Sequence, residues 1–402
     1  MPGKKQVKAP ASASAVPEAL FLLSTLGQRL GLWVSGFPLP IVLLLAPFII
    51  CYALLIRRLK CSLIRTLLFS AMLVSFATSF VFARPETTSL QSAILFAAMY
   101  GPWIFWAPAT ALEYTAYLRR VALWVSIFSI LAAVQYLGQF AYSSELWFSW
   151  RLVVPEFLLI EYNALNEMAY GTAVYKGNGF FLLEPSTLSG LVARLFLATV
   201  LLLGTLNYAI PYAIGLLFAF SGTGLVFTAI FTVPVIVRYL VRKIPTELTL
   251  TLIVSVAIIL AYSWSSTPLG DYFSGRLGEF ADPRSSGYAR FSSPLIVFER
   301  MLTRDLGTFL IGHGPGSFRF VEGNPNEEIF GSGWIKIFVE YGFMGFLTFS
   351  TFFLYCVYSS TRSFYLAFAL LAQFLILDGS VLVPQLVFLT YAVFVLPGRS
   401  TL

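Results

Sequence analysis

Long runs of apolar residues recur along this chain, and they restrict its fold more than any other feature. A helix that crosses the hydrocarbon core of a bilayer needs roughly 20 predominantly apolar residues. The chain is also 58% hydrophobic and only 11% charged, whereas soluble domains carry about a quarter charged residues. The sequence therefore predicts an all-α polytopic integral membrane protein.

Most of the predicted membrane spans can be located directly as runs between charged residues. The clearest runs are 40–55, 63–83, 90–112, 121–142, 188–206, 248–264, 335–358, 364–377 and 381–396. A weaker run, 19–33, is interrupted by Gln28 and Arg29. The run 208–240 is interrupted by S-G-T-G and predicts a short span followed by a returning one, since irregular backbone is tolerated at membrane depth only inside protein or a cavity. We therefore expect about 11 to 12 transmembrane helices, including this broken one.

The orientation of the spans follows from the basic residues, because cytoplasmic loops carry an excess of lysine and arginine. Clusters at 4–8, 57–65, 119–120 and 238–243, together with Arg362 and Arg399, fall on one side if the spans alternate. That side is predicted to be cytoplasmic. The resulting division is a disordered cytoplasmic tail (1–18), N-terminal helices (19–142), a first periplasmic loop (143–185), central helices (186–264), a large, partly helical second loop (265–334) and C-terminal helices (335–402).

Composition also excludes several classes of function. The net charge of +7 is explained by topology, and no basic patch interleaved with aromatic residues indicates a nucleic-acid partner. The three cysteines, Cys51, Cys61 and Cys356, lie in or near predicted spans and form no C-x-x-C or zinc spacing. No cluster of external histidine or acidic residues has the spacing of a metal site, and no cofactor is predicted.

The second predicted loop contains six arginines, which is unusual for the external side of a membrane protein. They are Arg276, Arg284, Arg290, Arg300, Arg304 and Arg319. One interpretation is that they pair with the eight acidic residues of the same loop on a solvated surface. The other is anion binding, because a guanidinium forms paired hydrogen bonds to phosphate oxygens. Arg290 is the best placed for this role, since an apolar stretch follows it, and Arg276 is second.

A glycine-rich motif in the same loop, I-G-H-G-P-G-S-F, contains the only histidine of the chain, His313. Glycines permit tight turns and close approach of the backbone to a ligand. The motif does not match a nucleotide-binding phosphate loop. His313 could act as a general base, since its unperturbed pKa lies near working pH. The alternative is a histidine at a loop surface or hydrogen-bonded to backbone.

The first predicted loop leads into a span through the sequence Y-K-G-N-G-F-F-L-L-E-P-S. Lys176 lies close to the membrane there and could bind the same anion as Arg290. Glu184 and Pro185 suit a helix N-terminus, because proline needs no amide donor at that position and an acid interacts favourably with the helix dipole. Arg194, well inside the following span, is costly in lipid and should face a cavity or a partner acid.

The order of these motifs carries a resemblance to a known family. K-x-x-G-F-x-x-L-E-P-S opens a span, and S-G-T-G interrupts the next. A long external stretch with R-x-x-x-P and G-x-G-P-G-S-F follows, and W-I-K-I-F-V-E-Y-G-F-M-G-F opens another span. Over residues 175–346 this order resembles the O-antigen ligase and Wzy-type polymerase superfamily of bacterial envelopes. Outside that segment, the likeness is limited to the number of spans.

The resemblance implies a glycosyltransferase on the outer face of the bacterial inner (cytoplasmic) membrane. Its donor would be an undecaprenyl-pyrophosphate-linked oligosaccharide, and transfer would proceed with inversion and without a metal or nucleotide sugar. The other partners would be the growing polysaccharide chain, the lipid bilayer and, optionally, a chain-length regulator. Basic residues of the two external loops hold the pyrophosphate in such enzymes. Arg290 matches one of them, Arg276 and Arg284 precede it, and Lys176 stands where arginine is more usual.

The general base departs from the family pattern. Ligases of this superfamily usually carry a His-Asn pair before the E-x-G motif, and its histidine is thought to activate the acceptor hydroxyl. This chain has Gly331 and Ser332 at that place. The base is therefore open among His313, Glu327 and Glu328, since burial can raise the pKa of a carboxyl into the working range.

Three functions remain open from the sequence. The F-x-L-E-P-S and G-W-I-K variants resemble exopolysaccharide polymerases more than ligases, so a polymerase is the first choice. A ligase that transfers glycan to lipid A core or another acceptor shares the donor chemistry. A transporter or flippase of polyprenyl-linked glycan would also have many spans and intramembrane charges, but no internal repeat supports it.

Overall fold

The computed structural model describes residues 15–34, 37–160, 164–168, 173–242, 287–302, 305–321 and 332–399. The helices of the N-terminal half are α1 (Ala15–Leu26), α2 (Ile41–Leu55), α3 (Leu63–Phe82), α4 (Leu90–Tyr100), α5 (Ala111–Gly138), α6 (Ser144–Phe148), α7 (Pro185–Ala198), α8 (Ala209–Ala219), α9 (Gly222–Phe227) and α10 (Val233–Val241). Those that follow are α11 (Ser293–Leu302), α12 (Leu306–Ile311), α13 (Phe318–Val321), α14 (Gly333–Thr361), α15 (Phe364–Ala372) and α16 (Pro384–Thr390). The strands are β1 (Gly31–Val34), β2 (Phe37–Pro40), β3 (Lys60–Cys61), β4 (Phe105–Ala109) and β5 (Pro397–Arg399).

The protein is a predominantly helical membrane protein, as its sequence predicts. Five helices in the described residues are long and apolar enough to cross a bilayer: Leu63–Phe82, Ala111–Gly138, Pro185–Leu203, Gly222–Val241 and Gly333–Thr361. Shorter apolar helices accompany them at Ala15–Leu26, Ile41–Leu55, Leu90–Ile104, Ala209–Ala219, Phe364–Leu377 and Pro384–Val395. The predicted span 248–264 lies outside the described residues.

Two predicted spans have different limits in the structure. The run 90–112 is not one helix, because α4 ends at Tyr100 and a 3₁₀ turn with Pro102 leads into strand β4. The run 19–33 is replaced by α1, which begins inside the predicted tail at Ala15 and ends at Leu26, before Gln28 and Arg29. Proline and buried polar side chains therefore end helices that hydropathy alone would continue.

Helix α7 is the centre of the described fold. Every residue from Thr187 to Ala198 is buried, and α7 packs against α5, α8, α9 and α15. A second layer forms where α14 packs against α3. Phe76 of α3 and Tyr341 of α14 stack there with ring centroids 3.6 Å apart. Side chains on the buried faces of α7 and α14 are consequently held by close packing.

Two of the predicted cytoplasmic basic segments, those of Lys60 and Arg399, meet in a small sheet. Strand β4 pairs antiparallel with β3 and parallel with β5, so Lys60 and Arg399 lie on the same small sheet. Arg65 was predicted as part of the basic cluster, but its side chain is buried. It donates to backbone carbonyls of three segments, including Trp103 and Val395 at 3.2 Å, because these carbonyls end helices and strands and need donors.

The first predicted loop (143–185) is mostly non-helical before α7 in the residues that the structure describes, and buried polar side chains bind it to the helices. Arg29 donates to the carbonyls of Phe148 at 2.6 Å and Phe180 at 3.0 Å. Gln135 of α5 donates to Oδ1 of Asn178 at 2.9 Å and accepts from its backbone N–H at 2.9 Å. The loop segment beside Lys176 is therefore fixed against the helical core.

Candidate functional site

A buried ion pair lies on the central helix. Arg194, in the middle of α7, is only 2% exposed, and its Nη2 donates to Oδ2 of Asp378. Its Nη1 donates to Oγ1 of Thr390 at 3.0 Å. A buried guanidinium is strongly destabilising unless a partner compensates its charge. The prediction that Arg194 faces a cavity or a partner acid is confirmed, and the acid is Asp378.

The side-chain amide of Gln373 connects Asp378 to helix α7. Asp378 follows the π-helical turn Gln373–Leu377, which continues α15. Nε2 of Gln373 donates to Oδ1 of Asp378 at 3.4 Å and to the carbonyl of Gly190 at 3.3 Å. A Cβ at position 190 would lie 2.8 Å from Nε2 of Gln373. Glycine at this point of α7 therefore allows the amide to bridge the two helices.

Arg290, the favoured anion-binding residue of the sequence, contacts the broken span. It lies in the π-helical turn Tyr288–Ser292 that leads into α11. Its Nη1 donates to Oγ1 of Thr223 at 2.8 Å, and Thr223 is the threonine of the S-G-T-G motif. The predicted break is present between α8 and α9, where Phe220 adopts a left-handed conformation with φ 44°. We call this interruption, at Phe220 and Ser221, the first break.

The first break also receives the loop that carries Lys176. The backbone N–H of Gly177 donates to the carbonyl of Phe218 at 2.9 Å, near the end of α8. The backbone of Lys176 itself donates to the carbonyl of Asn166 at 2.9 Å. The structure thus brings the segments of Lys176 and Arg290, which are far apart in the sequence, to the same interruption of the same span.

Among the described residues, the charges around the first break are unbalanced. Asp378 interacts electrostatically with both Arg194 and Arg290, so two guanidinium groups share one carboxylate. The Nε of Arg194 has no hydrogen-bond partner among the described residues. A guanidinium carries five N–H donors, and the bond to Thr223 uses one of those on Arg290. This cluster (Arg194, Asp378 and Arg290) therefore has a surplus of positive charge and of donors, which suits an anion.

The glycine loop, residues 312–318, follows α12. Asp305 caps the start of α12 by accepting from the N–H of Thr308 at 2.9 Å and from its hydroxyl at 2.7 Å. These hydrogen bonds lower the pKa of the Asp305 carboxyl, because they favour its charged form. Gly312, Gly314 and Gly316 all have positive φ, which explains why glycine occurs at each of these positions.

The glycine loop packs against a second interrupted span. Gly342 has φ 66° and ψ −171° inside α14, so the helix is broken there. We call this the second break. The carbonyls just before it are hydrogen-bonded by the loop: the N–H of His313 donates to Val339 at 2.8 Å, and that of Gly314 to Glu340 at 2.8 Å. A Cβ on Gly312 would lie 2.5 Å from the nitrogen of Gly342. The second break is therefore closed by backbone.

Glu340 completes the attachment of the glycine loop. Its side chain is buried, and the backbone N–H groups of Gly316 and Phe318 donate to its carboxylate. Ser79 of α3 donates to its carbonyl at 2.6 Å. The glycines of the loop, which in the sequence suggested close approach of a ligand, thus allow close packing against protein. His313 is consequently carried by a rigid loop, with its side chain partly exposed.

The other predicted site residues fall outside the described residues. They are Arg276, Arg284, Glu327 and Glu328. Of the Gly331 and Ser332 pair, Ser332 is described: it is buried and precedes α14. Among the described residues, no group of three or more histidine, cysteine and acidic side chains could hold a metal ion.

Sequence reasoning missed Asp378, Gln373 and Thr390. A signal for Asp378 was present, because it is the only acidic residue after Glu340 and lies between two apolar runs. Nothing local marked Gln373 or Thr390, whose roles depend on contacts with α7 almost 200 residues earlier. No protein-family model, curated protein or solved structure matches this chain.

Proposed function

We propose that this protein is a glycosyltransferase of the bacterial inner membrane that polymerises undecaprenyl-pyrophosphate-linked repeat units into a surface polysaccharide or exopolysaccharide. The observation that carries the proposal is the cluster of Arg194, Asp378 and Arg290 at the first break, with its surplus of positive charge. A membrane-embedded site of this kind suits a lipid-linked anion better than a neutral ligand.

The chemistry needs a site of this charge. The acceptor hydroxyl oxygen attacks the anomeric carbon of the donor sugar, and the bond from that carbon to the pyrophosphate oxygen breaks. The bonding electrons leave with the pyrophosphate, and the hydroxyl proton passes to a base. Fixed positive groups beside the leaving oxygen stabilise the charge that develops there, which is commonly among the largest catalytic contributions. Arg290 would bind the pyrophosphate directly, with Lys176 as a second cation.

The proposal includes a topology. The apolar helices, together with the run 248–264, would form about 11 to 12 spans. The end that carries Lys60, Arg399 and buried Arg65 would face the cytoplasm, and the cluster around Arg290 would open to the periplasm. The meeting of the Lys60 and Arg399 segments in one small sheet supports this orientation.

The base is proposed to be His313, Glu327 or Glu328. If His313 serves, His313→Ala should lower the rate by about 100-fold, and the wild-type rate should rise with pH through about 6.5. If a glutamate serves, its glutamine variant should fail instead. If none of the three variants is severe, positioning of the reactants supplies most of the acceleration.

A single assay separates polymerase from the alternatives. Purified protein is reconstituted with a lipid-linked repeat unit, and the glycans are resolved by size, with and without a lipid A core acceptor. Longer chains indicate a polymerase, a modified acceptor indicates a ligase, and movement of intact donor across the bilayer indicates a transporter. We expect longer chains, also in the presence of EDTA.

Variants then connect that activity to the site. Arg290→Ala should abolish polymer, and Arg290→Lys should restore little, because an ammonium cannot form the paired bonds of a guanidinium. Lys176→Ala should be milder, and Lys176→Arg should be tolerated. Arg300→Ala, on the neighbouring helix α11, is the matched control and should be fully active. Normal polymer from Arg290→Ala at matched protein levels would refute the assignment.

A further inference from the structure

A cavity of about 580 Å³ lies away from the cluster at the first break. Its lining comes from α10, the start of α15 and the π-helical turn Thr199–Leu203 that continues α7. The lining residues are Val200, Leu201, Pro234, Val235, Arg238, Tyr239, Arg242 and Tyr365. Its volume is typical of ligand sites, which span roughly 300–1,000 Å³. No residue of the Arg194, Asp378 and Arg290 cluster lines it.

The lining of the cavity combines aliphatic and basic side chains. The interior is aliphatic, from residues such as Val200, Leu201 and Val235. Arg238 and Arg242 are four residues apart, so they lie on the same face of the helix end. Both are exposed, and the described residues provide neither guanidinium with a hydrogen bond or an ion pair. A cavity lined by aliphatic side chains and two cations suits an amphiphilic anion.

The backbone that forms this cavity is irregular for identifiable reasons. Pro234 lacks an amide donor and follows the π-helical turn Thr228–Thr232, where the regular hydrogen-bond pattern is interrupted. Tyr239 donates to the carbonyl of Gly204 at 3.0 Å and so ties α10 to the end of the α7 segment. Tyr365 donates to the carbonyl of Phe231 at 2.9 Å and ties α15 to the same span. The cavity walls are therefore fixed.

The cavity lies at a peripheral span. Only 17% of the apolar part of Gly222–Val241 is buried, so most of this span lies at the surface of the described fold. Arg238 and Arg242 lie at its end, and Arg362 begins the turn into α15, whose Tyr365 borders the cavity. These are basic segments that the charge distribution assigns to the cytoplasmic side.

We propose that this cavity binds an anionic phospholipid of the cytoplasmic leaflet. One acyl chain would occupy the aliphatic interior, and the phosphate would bind Arg238 and Arg242. Charge complementarity selects this occupant, because basic pockets between spans on the cytoplasmic side recognise anionic headgroups and zwitterionic lipids lack the net charge. The proposal concerns the opposite end of the span Gly222–Val241 from the first break and does not depend on the glycosyltransferase activity.

The test counts lipids on the intact protein. The full chain is reconstituted in phosphatidylcholine bilayers containing a minor fraction of phosphatidylglycerol, and lipids retained after detergent extraction are counted by native mass spectrometry. The wild-type chain should retain phosphatidylglycerol preferentially. Arg238→Gln with Arg242→Gln should weaken this preference about 30-fold, since each basic residue near anionic lipid contributes about fivefold. Thermal unfolding of each variant verifies folding.

Two further variants isolate the cavity from general electrostatics. Val235→Trp fills the interior but keeps both arginines, and it should also abolish preferential retention. Arg57→Gln with Arg119→Gln removes two exposed basic residues that do not line the cavity, and it should behave as wild type.

Four results would overturn the proposal. Unchanged retention in the Arg238 and Arg242 double variant would show that these arginines do not bind the headgroup. Unchanged retention in Val235→Trp would show that the lipid does not occupy the cavity. Displacement of the lipid by inorganic phosphate alone would indicate a soluble phosphate ligand. Absence of preferential retention by the wild-type chain would show that the cavity does not bind this lipid.

Discussion

Two interrupted spans of this protein are stabilised in different ways. At the first break, Thr223 accepts a hydrogen bond from the side chain of Arg290, whose charge also acts on Asp378. At the second break, the carbonyls before Gly342 accept from the backbone of the glycine loop. At both breaks backbone carbonyls accept from a neighbouring loop, Phe218 from Gly177 at the first and Val339 and Glu340 from the glycine loop at the second. Only the first break has a surplus of positive charge and spare donors.

Because of this difference, the first break is the candidate site for an anion, whereas the space at the second break is filled by backbone. Under the proposed function, the Arg290 guanidinium at the first break would share its partners with an incoming phosphate. The backbone contacts at the second break leave no room, because a single Cβ at Gly312 would approach Gly342 to 2.5 Å. The glycine motif thus allows close packing against α14 and fixes the backbone of His313.

The largest expected effect comes from removing Asp378, the acid of the cluster at the first break. Asp378→Ala leaves the Arg194 guanidinium buried without its counter-charge, which should destabilise the protein by about 3–5 kcal/mol. Replacing Arg194 and Asp378 together with methionine and leucine should recover most of that stability, because no unpaired charge remains. Thermal unfolding in detergent measures both. A single variant as stable as wild type would show that the pair is not compensating a buried charge.

Alanine substitution of one glycine at each break compares the two breaks directly. Gly312→Ala at the second break introduces a clash and a residue at φ 85°, so it should cost about 1–3 kcal/mol. Gly222→Ala at the first break meets nothing within 4 Å and should change stability by no more than about 0.5 kcal/mol. The same unfolding measurement applies. Equal effects at the two sites would contradict the distinction between a closed and an open break.

A smaller effect is expected from the hydrogen bond of Arg290. Thr223→Val keeps the shape of the side chain but removes the acceptor, so polymer formation should fall about tenfold, equivalent to about 1.4 kcal/mol. Thr228→Val is the matched control in the same span, because its hydroxyl is buried without a partner. That control should remain as active as wild type, and a comparable loss in both variants would point to general packing instead.

The smallest effect concerns pH at the cap of α12. Hydrogen bonds from Thr308 lower the pKa of Asp305, so its contribution to stability is present above the unfolded value of about 3.9 and is lost as pH falls through the lower folded value. The protection of the amides in residues 306–311, taken relative to their intrinsic exchange rates at each pH, should therefore fall as the pH drops below about 4. Asp305→Asn should remove this dependence, and an unchanged pH profile in that variant would assign it to another group.

The sequence was most informative where a polar residue interrupts an apolar run. S-G-T-G predicted the first break because glycine and serine disrupt an otherwise continuous span, and Arg194 predicted a partner because an intramembrane charge needs one. The start of α7 at Pro185 also agrees with the proline and acid signals. In each case the relevant physics is local to the residue.

Features that depend on distant contacts could not be predicted. The second break was missed because a single glycine with positive φ leaves no mark in the hydropathy of a 29-residue helix. Arg65 was counted as a surface charge, although its surroundings come from Trp103 and from residues after 355. Asp378 was visible as a lone acid, but its pairing with Arg194 depends on how α15 packs against α7.

The affinity of the purified protein for undecaprenyl pyrophosphate, measured without any acceptor, tests directly whether the first break is the pyrophosphate site. Arg290→Ala should weaken binding by at least about 30-fold, because losing one partner of a desolvated charge contact costs roughly 2 kcal/mol or more. Gly222→Ala and Arg300→Ala should bind as wild type. Wild-type affinity in a correctly folded Arg290→Ala variant would show that the first break is not the pyrophosphate site.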